Sequence, residues 1–411
     1  MKLNNLGRRL RRLSRRIIDR TGVPTRRFAT ALSSAAGAPG DGFHVLIAPP
    51  GAGNIGDQAM VEAFVASADR PVVVVTRHDE DFVLPADLHD RARFVALPRL
   101  LYGDGPEHDR DVRSLGALLD GAATVSIVGA DIMDGIYSLR PSVRRATIAA
   151  VAAGRGFDTS VIGFSWNAAA PAPARKALRL AGAAGTRLLL RDPASAARVR
   201  DLGVRGVVET ADIVFTDDRL ADDLPVALKD LSEPYALINA SGLIARSVDQ
   251  AVEYAPVIAE LRDRGIHVVL LPHVLRSSAD DLAACRAVAE AVGPEGVTLV
   301  ESMLGPAEIR RLATKASVVV TGRMHLAVMS LGQGVPAVTL ASQGKVEGLM
   351  RLFEWPELCV PPRIGMGVGL RDIVRRALDD PESRVRVDRG AHRARELARS
   401  NIERVGQGGH G

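Results

Sequence analysis

From residue 43 onward the chain alternates short β-branched runs with longer Ala/Leu/Arg segments of helical period. That alternation predicts βαβ units and parallel sheets, with a doubly wound α/β arrangement as the default. In the first half, strands are expected near Phe43–Ala48, Pro71–Thr76, Phe94–Leu97, Thr124–Val128, Ser160–Phe164 and Arg187–Leu190. In the second half they are expected near Tyr235–Asn239, His267–Leu271, Val297–Val300, Ser317–Val320, Pro336–Leu340 and Leu358–Val360. Between the two sets lies Thr216–Pro234, which is acidic, holds two prolines and lacks a strand pattern, so it reads as an interdomain linker. The expected organisation is a basic tail over 1–42, a Rossmann-like domain over 43–218, a linker over 219–234, a second such domain over 235–370, and a C-terminal helix with a flexible tail over 371–411.

The 411-residue length allows two α/β domains that each bury a core unaided, and 47% apolar with 25% charged residues is a globular profile. Cys285 and Cys359 each stand alone, so neither a disulfide framework nor a zinc site is expected. The formal charge of +5 changes meaning once divided by position. Residues 1–42 hold Lys2 and nine arginines against Asp19 and Asp41, a net of +8, which leaves the remaining 369 residues at −3. An acidic body with a basic tail lacks the basic face of a nucleic-acid-binding domain. No stretch has the uninterrupted apolar length of a membrane span, and arginines break the region where a signal peptide would need its apolar segment. A cytoplasmic protein is therefore expected. Within the tail, Leu3, Leu6, Leu10, Leu13 and Ile17 align on one helical stripe, with arginines on the other faces. Residues 3–20 could so form a cationic amphipathic helix for an anionic membrane surface, against the plainer reading of a solvated tail.

The loop Pro49-Pro50-Gly51-Ala52-Gly53-Asn54-Ile55-Gly56-Asp57 follows the first strand and opens a helix. Its glycines match G-x-G-x-x-G, but Asp57 in the first helical turn would oppose a pyrophosphate, and the second strand ends in Thr76-Arg77 with no acid for a ribose. Asp57 reads either as a helix cap or as an acid that recognises or deprotonates a sugar hydroxyl at the mouth of the sheet.

A second cluster is Ser317 to His325, a strand running into Gly322-Arg323-Met324-His325 at the start of a helix. The next strand, Pro336–Leu340, exits into Gln343-Gly344-Lys345. Arg323, His325 and Lys345 thus arrive at successive strand exits, the edge where ligands of open parallel sheets bind. A guanidinium fork, an imidazole and an ammonium suit a small, multiply charged anion. Weaker candidates are His273, Asn239 and Ser241 at other strand exits of the second half, Arg191 after the sixth strand, and Asp131 and Asp134 after the fourth, each with an ordinary loop, cap or ion-pair reading beside the functional one.

Gly53-Asn54-Ile55-Gly56-Asp57, the run Leu190-Arg191-Asp192-Pro193-Ala194-Ser195 and the span Val319 to Leu349 together resemble the polysaccharide pyruvyl transferase family, over most of residues 43–360. The most specific part is Gly-Arg-x-His followed by Gly-x-Pro and Lys-x-x-Gly. The resemblance implies a glycosyltransferase-B-like fold of two facing Rossmann-type domains. It further implies phosphoenolpyruvate as donor, a sugar as acceptor and a pyruvate ketal as product; nothing in the sequence resembles a metal cage, so no metal or other cofactor is expected. Carried over, the donor-contacting arginine and histidine fall on Arg323 and His325. The expected donor side is Arg323, Lys345, His273, Arg191, Asn239 and Ser241; the expected acceptor side is Asn54, Gly56, Asp131 and Asp134; of the two expected catalytic residues, His325 is either the acid or a phosphate-binding imidazolium, and Asp57 either deprotonates or orients the acceptor. The sequence departs from the family pattern at Gly129-Ala130-Asp131, where Gly-Gly is usual, and at Phe164-Ser165-Trp166-Asn167, where Gly-Pro is common. Two other readings stand beside it: a nucleotide-sugar glycosyltransferase or epimerase of the same fold, and a non-catalytic anion-binding module.

Overall fold

The computed structural model describes residues 23–229, 231, 234–276, 279–341 and 344–406. The amphipathic stripe of residues 3–17, and the membrane contact expected of residues 3–20, lie outside them. In chain order the first half comprises α1 (Val23–Ala35), β1 (Phe43–Ile47), α2 (Ile55–Ser67), β2 (Val72–Thr76), β3 (Ala92–Ala96), α3 (Pro106–Leu118), β4 (Ala122–Val128), α4 (Leu139–Gly154), β5 (Asp158–Phe164), α5 (Ala172–Ala183), β6 (Arg187–Leu190), α6 (Pro193–Asp201) and β7 (Val207–Glu209). Its seven strands form one parallel sheet in the order β3-β2-β1-β4-β5-β6-β7. The order reverses beside β1, so the loops leaving β1 and β4 flank the crevice where such sheets bind ligands.

A short helix, α7 (Val226–Lys229), interrupts the linker. The second half comprises β8 (Tyr235–Asn239), α8 (Gln250–Asp263), β9 (His267–Leu270), the hairpin strands β10 (Leu275–Arg276) and β11 (Ala279–Asp280), α9 (Asp281–Val292), β12 (Val297–Leu299), α10 (Pro306–Lys315), β13 (Ala316–Thr321), α11 (Met324–Gly332), β14 (Ala337–Leu340), α12 (Lys345–Leu352) and β15 (Cys359–Val360). Six of these strands make a parallel sheet in the order β12-β9-β8-β13-β14-β15. The protein is thus α/β, with two parallel sheets of doubly wound type.

Alternation along the strands sorts the core. Val45 and Ile47 of β1 and Val73 and Val75 of β2 belong to one buried cluster. Leu46, Val72 and Val74, pointing to the opposite face, belong to a second cluster that runs through α2 and Ile213–Phe215 into the second domain. The two domains therefore share a continuous apolar core on one face of the first sheet.

The expected tail is partly folded. Phe28 and Leu32, four residues apart on α1, are buried against the first domain, where α1 packs on α3 and α4. At the other end, α13 (Gly367–Asp379) packs on α8, and α14 (Ser383–Ala398) crosses to Ile213–Thr216 and α11. Asn401 then donates Nδ2 to Thr210 Oγ1 at 2.9 Å and to the Ala211 carbonyl at 3.0 Å, while its Oδ1 accepts from the Gly163 amide. The C-terminal segment thereby ties the second domain back to the first.

Candidate active site at the seam of the two sheets

The glycine-rich loop after β1 meets the loop after β9 edge to edge. The Leu275 amide donates to the Gly53 carbonyl at 2.8 Å and the Ile55 amide to the His273 carbonyl at 3.2 Å, with an antiparallel bridge between Asn54 and Val274. Gly53 sits at φ +70°, and a Cβ there would lie 2.4 Å from the Leu275 carbonyl oxygen, so the close approach requires glycine. Asn54 caps α2, accepting from the Gly56 amide at 3.0 Å. The cap is therefore Asn54, and Asp57 stands in the first turn with its carboxylate buried.

Arg276, from the second domain, reaches across to this loop. Its Nη2 donates to Asp57 at 3.1 Å and to the Gly51 carbonyl, and its Nε donates to the Ala52 carbonyl at 2.8 Å. Burial raises the Asp57 pKa; Arg276 and His325 oppose that rise, and the nearby Asp131 adds to it. The net direction is upward.

His325 lies on the opposite wall, in the first turn of α11. A Cβ on Gly56 would come within 2.2 Å of its Nδ1, so the two domains touch here through an imidazole and a bare glycine. On the other side of the ring, Nε2 is 3.4 Å from Asp212 Oδ2, within ion-pairing range though outside hydrogen-bond geometry. Asp212 also accepts from Arg191 Nη1 at 2.7 Å and from the Val214 amide at 3.1 Å, and Arg191 Nε donates to Ser165 Oγ at 2.9 Å. Burial alone would raise the Asp212 pKa, but His325 and Arg191 together hold it well below the usual carboxylate range. A buried, ionised carboxylate thus backs the imidazole, an arrangement that orients a histidine.

Arg323, the residue before α11, is occupied. Its Nη2 donates to Asp281 Oδ1 at 2.5 Å and its Nε to Oδ2 at 3.0 Å. Asp281 is fully buried and also accepts from Asn239 Nδ2 and from the amides of Gly242, His273 and Val274. The guanidinium that reads as an anion grip therefore already grips an internal anion, and Asn239 acts through Asp281. Arg323→Ala would leave Asp281 four N–H donors but no counter-charge. We expect it to lower unfolding stability in urea by about 1.5–3 kcal/mol, the range for a hydrogen bond to a charged group.

Beside this pair, Ser241 is buried with its Oγ free of a partner among the described residues. His273 is 1% exposed, and neither ring nitrogen has a partner among those residues. Burial, followed by the neighbouring His325 and Arg323, pushes the His273 pKa well down, so this ring is neutral. Lys345 opens α12, and its side chain lies outside the described residues. That helix abuts the first domain where a Cβ on Gly348 would meet Asp192 at 2.5 Å, next to Arg191. Asp192 caps α6 and Ser195 accepts from the Trp166 amide, so within Arg-Asp-x-x-Ser only Arg191 faces the histidine's partner. Asp134 accepts from the Ile136 amide within its loop, whereas Asp131 stands near enough to Asp57 to influence its charge. No group of three or more His, Cys, Asp or Glu positioned to hold a metal ion occurs among the described residues.

The structure thus brings Gly56, Asp57, Arg191, His273, Arg323 and His325 to one seam. It adds Asp212, Arg276 and Asp281, which sequence reasoning did not single out.

A profile of the polysaccharide pyruvyl transferase family matches residues 54–344. The chain belongs to this family. The match begins at Asn54 and ends just past β14, enclosing Gly56, Asp57, Arg191, Asp212, His273, Arg276, Asp281, Arg323 and His325. A comparison with curated proteins found no match. Among solved structures, the chain is similar to a Listeria monocytogenes protein described as a UDP-N-acetylglucosamine 2-epimerase (12% identity, 89% of this chain and 94% of that chain, TM-score 0.61). It is also similar to the UDP-GlcNAc 2-epimerase of Neisseria meningitidis bound to UDP-GlcNAc (12% identity, 88% and 98%, TM-score 0.58) and to the glycotransferase of kitacinnamycin (16% identity, 90% and 100%, TM-score 0.52). At these identities the likeness is one of fold, and it makes the pyruvyl transferase chain glycosyltransferase-B-like.

The contact between Gly56 and His325 gives a direct test of the seam. Alanine at a helical glycine position gains up to about 1 kcal/mol of helix propensity. Here its methyl must displace the imidazole, so Gly56→Ala should leave the melting temperature near or above wild type while turnover falls by roughly 10²-fold, the loss typical of a misplaced catalytic group. Unchanged turnover would place His325 outside the chemistry.

Proposed function

We propose that this pyruvyl transferase moves the pyruvyl unit of phosphoenolpyruvate onto two hydroxyls of a sugar in a polysaccharide, glycolipid or lipid-linked saccharide. One proton is delivered to the methylene carbon, turning it into a methyl group and making the central carbon electrophilic. The first sugar hydroxyl adds there and gives up its proton. The second hydroxyl then adds as the carbon–oxygen bond to phosphate breaks, its proton leaving with phosphate. His325 is the acid toward the methylene and Asp57 the base toward the acceptor hydroxyl. Arg191, Lys345 and the Nη1 end of Arg323, which makes no hydrogen bond among the described residues, attract the donor's anionic groups, with His273 and Ser241 beside them. Asn54, Gly56, Asp131 and Asp134 belong to the acceptor side.

The observation that carries this reading is the placement, across the seam, of a buried carboxyl with raised pKa from one domain and an imidazole 3.4 Å from a buried carboxylate from the other. A carboxyl and an imidazole facing one cleft supply the two groups that general acid–base catalysis requires. The test is to incubate the protein with phosphoenolpyruvate and a set of sugar acceptors and follow phosphate. Release that depends on the acceptor, with a mass gain on the sugar equal to a pyruvate ketal, is the expected result. Binding of a UDP-sugar with no response to phosphoenolpyruvate would overturn it in favour of a nucleotide-sugar enzyme.

A further inference from the structure

Away from the seam, at the same carboxyl edge of the first sheet, lies a narrow cavity between the exits of β1, β2 and β3 whose volume of about 10 Å³ holds about one water, so a larger group enters only as its rim moves. Pro49 and Pro50 line it, the start of the loop that carries Asp57 at its other end. Its polar lining is Thr76, Arg77, Tyr102 and Arg145.

Two neighbours on α4 show why Arg145 is unusual. Arg144 is buried and satisfied, its Nη1 donating to the Leu101 and Gly103 carbonyls at 3.0 and 2.7 Å and its Nη2 to Asp104 at 3.3 Å. That is how a structural arginine is normally accommodated. Arg145 is only 1% exposed, yet its Nε has no hydrogen-bond partner and no carboxylate pairs with it among the described residues. Its contacts are a long 3.4 Å hydrogen bond from Nη2 to Tyr102 Oη and the face of that ring, 6.0 Å from its centroid. Arg77 lies over the same ring at 4.7 Å, so two guanidiniums share one aromatic ring. The Thr76 Oγ1 is buried and likewise without a partner.

Burying a guanidinium without a counter-charge is costly, and two cations side by side add repulsion. Such a site becomes favourable when an oxyanion enters it, because a guanidinium fork, a second guanidinium and two hydroxyls supply the donors that a carboxylate or phosphate needs. Arg77 is exposed and, among the described residues, its side chain is held by the ring alone, so it can swing aside to admit the group.

We propose that this cavity is an anion subsite for the acceptor, and that the sugar accepting pyruvate carries a negatively charged group, a uronate carboxylate or a glycosyl phosphate. The assignment of the ligand as acceptor rests on the pyruvyl-transfer reading; the anion site does not.

The test is titration calorimetry on the full chain without phosphoenolpyruvate, using methyl glucuronide, glucose 1-phosphate and neutral glucose as probes. At least one charged probe should bind more tightly than glucose, the carboxylate or the phosphate arm identifying the source of charge. Arg145→Gln should weaken that binding by roughly tenfold or more, the usual consequence of truncating a buried charge partner. The variant should melt at or above the wild-type temperature, since it removes an uncompensated buried charge, and its phosphoenolpyruvate affinity should be unchanged. No preference for charged probes, or equal binding by the variant, would overturn the proposal. Parallel loss of phosphoenolpyruvate affinity would overturn the acceptor assignment. Should Arg145→Gln fail to fold, exposed Arg77→Gln decides by the same criterion. Charge-selective binding without acceptor-dependent phosphate release would sink the transfer reading and leave the subsite standing.

Discussion

Replacing His325 by glutamine should lower turnover by about 10²–10⁴-fold, the range for loss of a general acid, while phosphoenolpyruvate affinity falls far less. The amide occupies a similar volume and keeps a donor toward the cleft, but it cannot carry a proton to carbon. Its effect on folding should be small, because Asp212 retains Arg191 at 2.7 Å and the Val214 amide. Steady-state turnover and donor binding by calorimetry, measured on the same preparation, separate the two roles. Equal losses in both would make His325 a phosphate-binding group, and full activity would remove it from the site. The pH profile adds a second readout. Asp57 must be ionised to accept a proton, and its folded-state pKa is raised by burial, so kcat/KM should decline on the acid side at a pH above the ordinary carboxylate range. Asp57→Asn should abolish that limb with most of the activity.

The strands that shape both sheets were legible because buried parallel strands read as apolar, β-branched runs: Val72 to Val75 and Ser317 to Val320 announce themselves. The three-residue β7, Val-Val-Glu, is half-buried and too short to carry a pattern. Without it, Asp212 had no recognisable position at a sheet edge, and the partner of His325 stayed hidden. Arg323 was legible as a cation awaiting an anion. Nothing in the sequence could show that Asp281, 42 residues away, reaches it first. Arg276 was equally obscure, because its role depends on a hairpin of two-residue strands meeting a loop from the other domain. In α1 the signal was present but outweighed: Phe28 and Leu32 stand four apart, yet the surrounding arginine density reads as a solvated tail.

Asp212→Asn should be the most destabilising single change at the site, by about 3–5 kcal/mol, because it strands Arg191 as a buried cation. Arg191 is 2% exposed and Asp212 1%, so water cannot replace the lost partner; Ser165 offers only a hydroxyl oxygen. The sign of the pH dependence follows from the depressed pKa of Asp212. A carboxylate held more acidic in the folded state than in the unfolded chain contributes its full stability above the unfolded pKa, and loses it as pH falls through the folded value. Wild type should therefore shed this stabilisation only in strong acid, and the gap between wild type and Asp212→Asn, wide at neutral pH, should narrow there. Denaturant unfolding at both pH values measures the gap directly. The double variant Asp212→Asn with Arg191→Met should recover part of the loss, since removing the stranded charge removes its desolvation cost. It should recover no activity, because the imidazole of His325 would still lack the carboxylate that orients it. A neutral-pH gap below about 1 kcal/mol, the scale of an exposed ion pair, would show that Arg191 is not held as a buried charge by Asp212.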